Sequence, residues 1–213
     1  MNLRFAMPVI ILSLWLWSFI VPSPAYPEDI RLFGSHETRS TSLKSFPKWT
    51  GALARYQNST VLAGKCSAPT FNRCHLDKWN RFLHSLKGKP LRIQIDKVNH
   101  YINNAPYIID LVNWGLPDYW ATPYQFFTRD GDCEDYAIAK FMSLRTLGIP
   151  QDQMRIVILK DENLNAIHAV LAVFDRGHTY ILDNQINSVI EDHEIHHYTP
   201  IYSINETGWW RHM

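Results

Sequence analysis

The sequence predicts an α+β fold, with a helical N-terminal lobe followed by a small antiparallel sheet in a C-terminal lobe. Between Trp49 and about Asn113, apolar residues recur three or four apart in segments that end near Gly or Asn, the helical period. After Gln153, three short runs rich in Ile, Val and Leu are separated by polar or Gly-containing turns, the signature of strands. Between these halves lies one helical segment that opens on a cysteine, "CEDYAIAKFMSLRTLGIP".

Taken in order, residues 1–25 read as a secretory signal: a positive charge at Arg4, an uncharged run from Phe5 to Val21, then Ser23 and Ala25 at −3 and −1 of a cleavage site. An uncleaved anchor is the other reading of that run; both export the remainder of the chain. Residues 26–48 are rich in Ser, Thr and Pro with few apolar clusters, so they are expected to form an extended arm without chemistry. Residues 49–213 form the domain, divided into a helical lobe over 49–113 and a cysteine-bearing helix plus sheet over 114–213. The helices are expected in "WTGALARYQNSTVLAG", "HLDKWNRFLHSLKG" and "PLRIQIDKVNHYINN", and the strands in "MRIVILKD", "AIHAVLAVF" and "TYILDNQ". "WGLPDYWATPYQFFTRDGDC", broken by Gly115, Pro117 and Pro123, reads as an aromatic loop leading to the cysteine. Asp132 is the expected N-cap of the following helix, with Asp135 in the capping-box position.

The chain is 213 residues long, 46% hydrophobic, with a formal charge of +1 and no long basic run. That is enough apolar material for a real core, and it gives no electrostatic footprint for nucleic acid. Export changes how the three cysteines count, because oxidising compartments pair thiols. Cys66 and Cys74, in "CSAPTFNRC", are disulfide candidates, which leaves Cys133 as a candidate reactive thiol. An inert buried thiol is the alternative, but Asp130, Asp132, Glu134 and Asp135 crowd this one.

Suppose the hairpin around "DRGH" pairs Phe174 with Thr179. His168 and Asp183 then fall on one face as diagonal neighbours, ~7–8 Å apart at the backbone and within side-chain reach; an odd-numbered loop would reverse the parity. A cysteine in a helix's first turn gains from the positive end of the macrodipole, an imidazole can take its proton, and a carboxylate behind the imidazole fixes the tautomer. Cys133, His168 and Asp183 form such a set. Taken singly, His168 reads as a satisfied sheet histidine and Asp183 as a turn initiator; the combination carries the inference. "HEIHH", with His193, His196 and His197, reads as a solvated loop rather than a zinc site.

"DYWATPYQFFTRDGDCEDYAIAKFMSLRTLGIP", "IHAVLAV", "LDN" and "NETGWWRHM" resemble, in order, segments of the bacterial transglutaminase-like cysteine proteinases, and within them the periplasmic adhesin-processing proteases. The resemblance runs from about Trp49 to the C-terminus. It implies a papain-like, transglutaminase-like fold with a Cys133, His168, Asp183 triad, and calcium dependence with Asp132 and Glu134 as ligands. It further implies a periplasmic endopeptidase that cuts a large repeat-containing surface adhesin near its N-terminus, promoting biofilm dispersal, and that is sequestered by an inner-membrane receptor for cyclic-di-GMP.

The residues themselves reject an EF-hand, because Asp135 stands where its glycine belongs and Phe141 where its closing glutamate belongs. Hard oxygen ligands still suit calcium, and a dication offsets the carboxylate field that raises a thiol's pKa; a merely solvated acidic helix start is the alternative. Two other functions share these residues. A transglutaminase passes the acyl group to an amine with the same triad, and a non-catalytic binding module would use "WGLPDYWATPYQFF" and "GWWRH" as a partner surface.

Overall fold

The structure is a computed structural model that describes residues 31–59 and 73–213. The expected signal at 1–25 and the Cys66–Cys74 pairing lie outside the described residues. The described helices are α1 (Pro47–Gln57), α2 (Arg73–Leu86), α3 (Leu91–Asn103), α4 (Asp110–Asn113), α5 (Pro123–Arg129) and α6 (Cys133–Thr146). The strands are β1 (Glu37–Ser40), β2 (Met154–Asp161), β3 (Ala166–Asp175), β4 (His178–Leu182), β5 (Ile190–Glu191), β6 (Tyr198–Ile204) and β7 (Trp209–His212). They form one antiparallel sheet in the order β1-β7-β6-β2-β3-β4-β5. No helix among the described residues is long and apolar enough to cross a membrane.

The α6 segment is buried at every position from Asp135 to Leu144. A helix with little amphipathicity belongs inside, not on the surface. It packs on β3 and β2 on one side and on α3 and α5 on the others. Strand alternation sorts the sheet residues: Ile156, Ile158, Ala169, Leu171 and Val173 join Phe141, Leu144 and the Trp49 and Trp79 rings in the main core. Val157, Leu159, Val170, Ala172 and Phe174 point the other way, into a second apolar cluster closed by Leu32, Ile195 and Tyr198. Both faces of the central strands are covered, which explains why their sequences read as continuous apolar runs.

The β3–β4 hairpin has the two-residue loop Arg176-Gly177, both at positive φ (47° and 87°), the geometry that matches strand twist. It pairs Phe174 with Thr179, the register assumed from the sequence.

Two stretches differ from expectation. The arm is not without structure: Leu32 is completely buried in the second cluster, and β1 adds to the sheet edge at β7. Glu37 anchors it through a 2.6 Å ion pair with the buried Arg155, whose guanidinium also lies 3.7 Å from the Trp210 ring centroid. The polar alternation of "ETRS" hid a strand whose partner comes from the far end of the chain. The aromatic loop likewise contains α5, opened by Pro123 at N1 and a capping box between Thr122 and Gln125.

Candidate active site

The start of α6 is fixed by the chain just before it. Asp130 ends α5 at φ 61°, and Gly131 follows because a Cβ there would sit 2.3 Å from Asp135 Oδ2. Asp135 does not complete a capping box. Its Oδ1 accepts the Ala121 N–H at 2.6 Å, tying the segment before α5 to the helix start. Asp132 is the N-cap by position, but its side chain makes no cap hydrogen bond; its Oδ2 accepts the Asp110 N–H at 3.2 Å instead. The expected local cap is thus replaced by tertiary contacts. Trp120 is buried against Trp49, ring centroids 6.4 Å apart, a core contact.

Asp110, Asp132 and Glu134 each bring a carboxylate oxygen within 4.8 Å of the others. Asp110 was not anticipated from the sequence; it comes from the one-turn α4, 22 residues upstream of Asp132. Oδ1 of Asp110 and Oδ1 of Asp132 are buried without a hydrogen-bond partner. Burial pushes Asp110 up to about 6, and Asp132 adds to the rise against the Tyr119 N–H donated to it. Burial likewise raises Asp132 and, together with the Asp132 charge, Glu134. Lys48, paired with Asp118, lowers Asp110 only as a minor opposing charge; buried, under-satisfied oxygens converging in this way are a donor set suited to a hard divalent cation.

The opposite wall is satisfied. His168 Nε2 lies 2.8 Å from Asp183 Oδ1, and both side chains are almost fully buried. Asp183 Oδ1 also accepts the Gln185 N–H at 2.9 Å, and Oδ2 accepts the Tyr198 hydroxyl at 2.6 Å. Burial alone would raise this carboxyl, but the contacts from His168, Tyr198 and Gln185 outweigh it and hold Asp183 below the ordinary range. Asn103 Nδ2 donates to the Asp183 carbonyl at 2.7 Å, locking the turn to α3. The bond to Asp183 leaves Nδ1 as the other ring nitrogen, with Gln185 Nε2 3.4 Å from it. Tyr198 and Gln185 were not read as site residues; both follow from the sheet register that brings β6 and the chain after β4 to His168.

Cys133 stands between the two walls in the first turn of α6. Its thiol donates to Glu134 Oε2 at 3.2 Å, and the Ala169 N–H, next to His168 on β3, faces the sulfur. Burial pushes the thiol well up; Glu134 and Asp132 push it further, while Ala169 opposes them. The structure therefore brings Cys133 against Glu134 and the backbone beside His168, and the described hydrogen bonds do not join its sulfur to the imidazole. His193 and His196 of "HEIHH" are exposed, and His193 lies 3.6 Å from Glu191.

The sequence profile of the bacterial transglutaminase-like cysteine proteinases matches residues 66–213. Among solved structures, Legionella pneumophila LapG is 34% identical, with a TM-score of 0.60 over 65% of this chain and 78% of that one. Its calcium-bound form is 31% identical, with a TM-score of 0.62 over 76% of this chain and 86% of that one. An EGTA-treated form matches equally, at 34% identity and a TM-score of 0.60, over 65% of this chain and 76% of that one. A search of curated proteins finds no match. The profile spans most of the domain and includes the cysteine, the histidine and the acidic cluster, so the chain belongs to the bacterial transglutaminase-like cysteine proteinases and is a cysteine protease of the LapG type.

Proposed function

We propose that this protease is a calcium-dependent periplasmic endopeptidase in which Cys133 is the nucleophile, His168 the general base and acid, and Asp183 the group that orients the imidazole. The observation that carries the reading is the buried 2.8 Å contact between His168 and Asp183 beside a thiol at a helix N-terminus. In the reaction, His168 Nδ1 takes the Cys133 proton and the sulfur attacks the scissile carbonyl carbon. The C–N bond breaks as the imidazolium passes its proton to the leaving amine. His168 then draws a proton from water, which attacks the thioester, and the Cys133 thiol is regenerated. Asp183 stays ionised throughout, held by His168, Tyr198 and Gln185. For the first step the thiol must give up its bond to Glu134 and turn to the imidazole.

Asp132 and Glu134, joined by Asp110, would hold the calcium ion, and the orphaned Oδ1 atoms of Asp110 and Asp132 fit that role. When bound, the ion supplies a fixed positive charge that offsets the carboxylate field at the thiol. A calcium-bound form of the similar LapG supports this reading. By the family resemblance, the substrate is the N-terminal region of a large repeat-containing surface adhesin, whose release promotes biofilm dispersal. The restraining partner is an inner-membrane cyclic-di-GMP receptor.

Cleavage of the adhesin's N-terminal fragment by wild type and Cys133→Ala tests the reading. Complete loss in a variant with unchanged circular dichroism is expected; cleavage at the wild-type rate would refute the nucleophile. Restraint by the receptor is checked separately, by whether its periplasmic portion suppresses cleavage.

A further inference from the structure

The N-terminal arm reaches the back of the proposed triad, and the inference drawn from it rests on that reading of Cys133, His168 and Asp183. The arm makes a turn at Leu32–Gly34 that packs on β6. Leu32 is completely buried in the second apolar cluster, which also contains Tyr198, the first residue of β6. Phe33 meets Tyr198 edge to face, with ring centroids 6.0 Å apart and planes at 76°. To present its ring there, Phe33 takes a φ of 52°, in the left-handed region that a bulky residue adopts where its surroundings enforce it. Its N–H donates to Asp192 Oδ2 at 2.8 Å, which pins the turn to the chain after β5.

Tyr198 carries this packing to the site. Its ring would fill the apolar cluster equally well without the hydroxyl, and a buried hydroxyl is costly unless it is bonded. That hydroxyl donates to Asp183 Oδ2 at 2.6 Å. Burial, and then the Asp183 charge, push the phenol up, so it keeps the proton it donates. The other carboxylate oxygen, Oδ1, lies 2.8 Å from His168 Nε2 and accepts the Gln185 N–H. Fixing Oδ2 therefore fixes the rotation of the carboxylate, and with it the direction of the bond to the imidazole. Tyr198 also faces Asp161, its partner across the β2–β6 pair, which accepts the Asn163 and Leu164 N–H groups through Oδ1. The His168 and His197 rings lie 5.8 and 4.5 Å from the Tyr198 ring, centroid to centroid.

We propose that Tyr198 is a positioning residue for proteolysis and that the arm completes it: the Phe33 ring holds Tyr198 in the orientation whose hydroxyl pins Asp183, so the arm sets the aim of the Asp183–His168 pair. A general base turned slightly off its line costs rate rather than substrate binding. A buried carboxylate that loses a donor also makes the pair hold its protons more tightly, so the neutral imidazole is reached only at higher pH.

The test uses the full chain with calcium, comparing wild type, Tyr198→Phe, Phe33→Gly and the double variant. Glycine removes the ring at a φ that it takes freely. The readouts are kcat and KM on an adhesin fragment and the acid limb of kcat/KM against pH. Tyr198→Phe is expected to lower kcat about tenfold with KM little changed, and to move the acid limb up by about one pH unit. Phe33→Gly should lower kcat about threefold and move the limb the same way. In the double variant, loss of the Phe33 ring should cost nothing beyond Tyr198→Phe, because the ring acts through the hydroxyl.

A folded Tyr198→Phe with wild-type kcat and acid limb would overturn the proposal, as would a Phe33→Gly loss of equal size in both backgrounds. If Phe33→Gly does not fold, Phe33→Asn takes its place; failure of both, or of Tyr198→Phe, to fold would overturn the proposal by assigning the contacts to the fold. His168→Ala serves as control. If it cleaves normally, the triad reading itself fails; if it is dead while the Tyr198 and Phe33 variants match wild type, only the inference about the arm fails.

Discussion

The two carboxylate walls beside Cys133 are both withdrawn from solvent, Asp183 and Asp110 fully and Asp132 and Glu134 in part, yet they end in opposite states. Asp183 is held below the ordinary carboxyl range because His168, Tyr198 and the Gln185 N–H donate to it. Asp110 and Glu134 are raised by burial and by the Asp132 charge, and Asp132 by burial and the Asp118 charge, because few donors oppose them. Burial is thus common to both walls, and the supply of donors decides the sign. One wall is complete within the chain, while the other has the form of a site that a cation completes.

The contrast is most exposed at the complete wall. Asp183→Asn removes the acceptor that fixes the His168 tautomer, and kcat is expected to fall by about 10⁴-fold with the fold retained. A fall below tenfold in steady-state kinetics would detach Asp183 from the chemistry. At the open wall, Asp110→Asn should weaken calcium binding by about 100-fold, measured by calorimetry, with activity recovered at excess calcium. Unaltered affinity would leave Asp132 and Glu134 as the ligands without it.

A smaller, purely structural effect is expected far from both walls. Glu37→Gln removes the carboxylate facing the buried Arg155 and should cost about 3 kcal/mol in denaturant unfolding, with kcat at low temperature unchanged. The weakest effect is in pH. A carboxyl raised by folding binds its proton more tightly in the native state, so stability falls as pH rises from its ordinary pKa to its folded one. For Asp110 that window runs from 3.8 to about 6. Chelated protein should lose thermal stability across it, and calcium should flatten the slope. Asp183, lowered by folding, contributes the reverse: stability present above its ordinary pKa and lost as the solution is acidified further.

Local pattern carried much of this fold. The apolar runs of β2 and β3 and the stop after Leu147 are visible because their causes are short-range, and the pairing of Phe174 with Thr179 follows from a two-residue turn. That same parity places His168 near Asp183. Asp110 was not legible, because nothing in "YIIDLVNW" marks a carboxylate that packs against a helix start beyond another helix. Nor was β1, whose partner β7 lies at the other end of the chain. α5 was legible in principle: Thr122-Pro123 followed by Gln125 is a capping box with proline at N1, and the surrounding Gly and Pro residues masked it.

In the proposed mechanism, Asp110, Asp132 and Glu134 would hold a cation whose positive charge would offset the carboxylate field that suppresses the Cys133 thiol. The rate of Cys133 alkylation by iodoacetamide at neutral pH, with calcium and with chelator, addresses this directly and needs no substrate. Calcium should accelerate alkylation at least ~tenfold, the equivalent of one pKa unit, and Asp110→Asn at limiting calcium should behave as the chelated protein does. An alkylation rate indifferent to calcium and chelator alike would refute an ion-activated thiol.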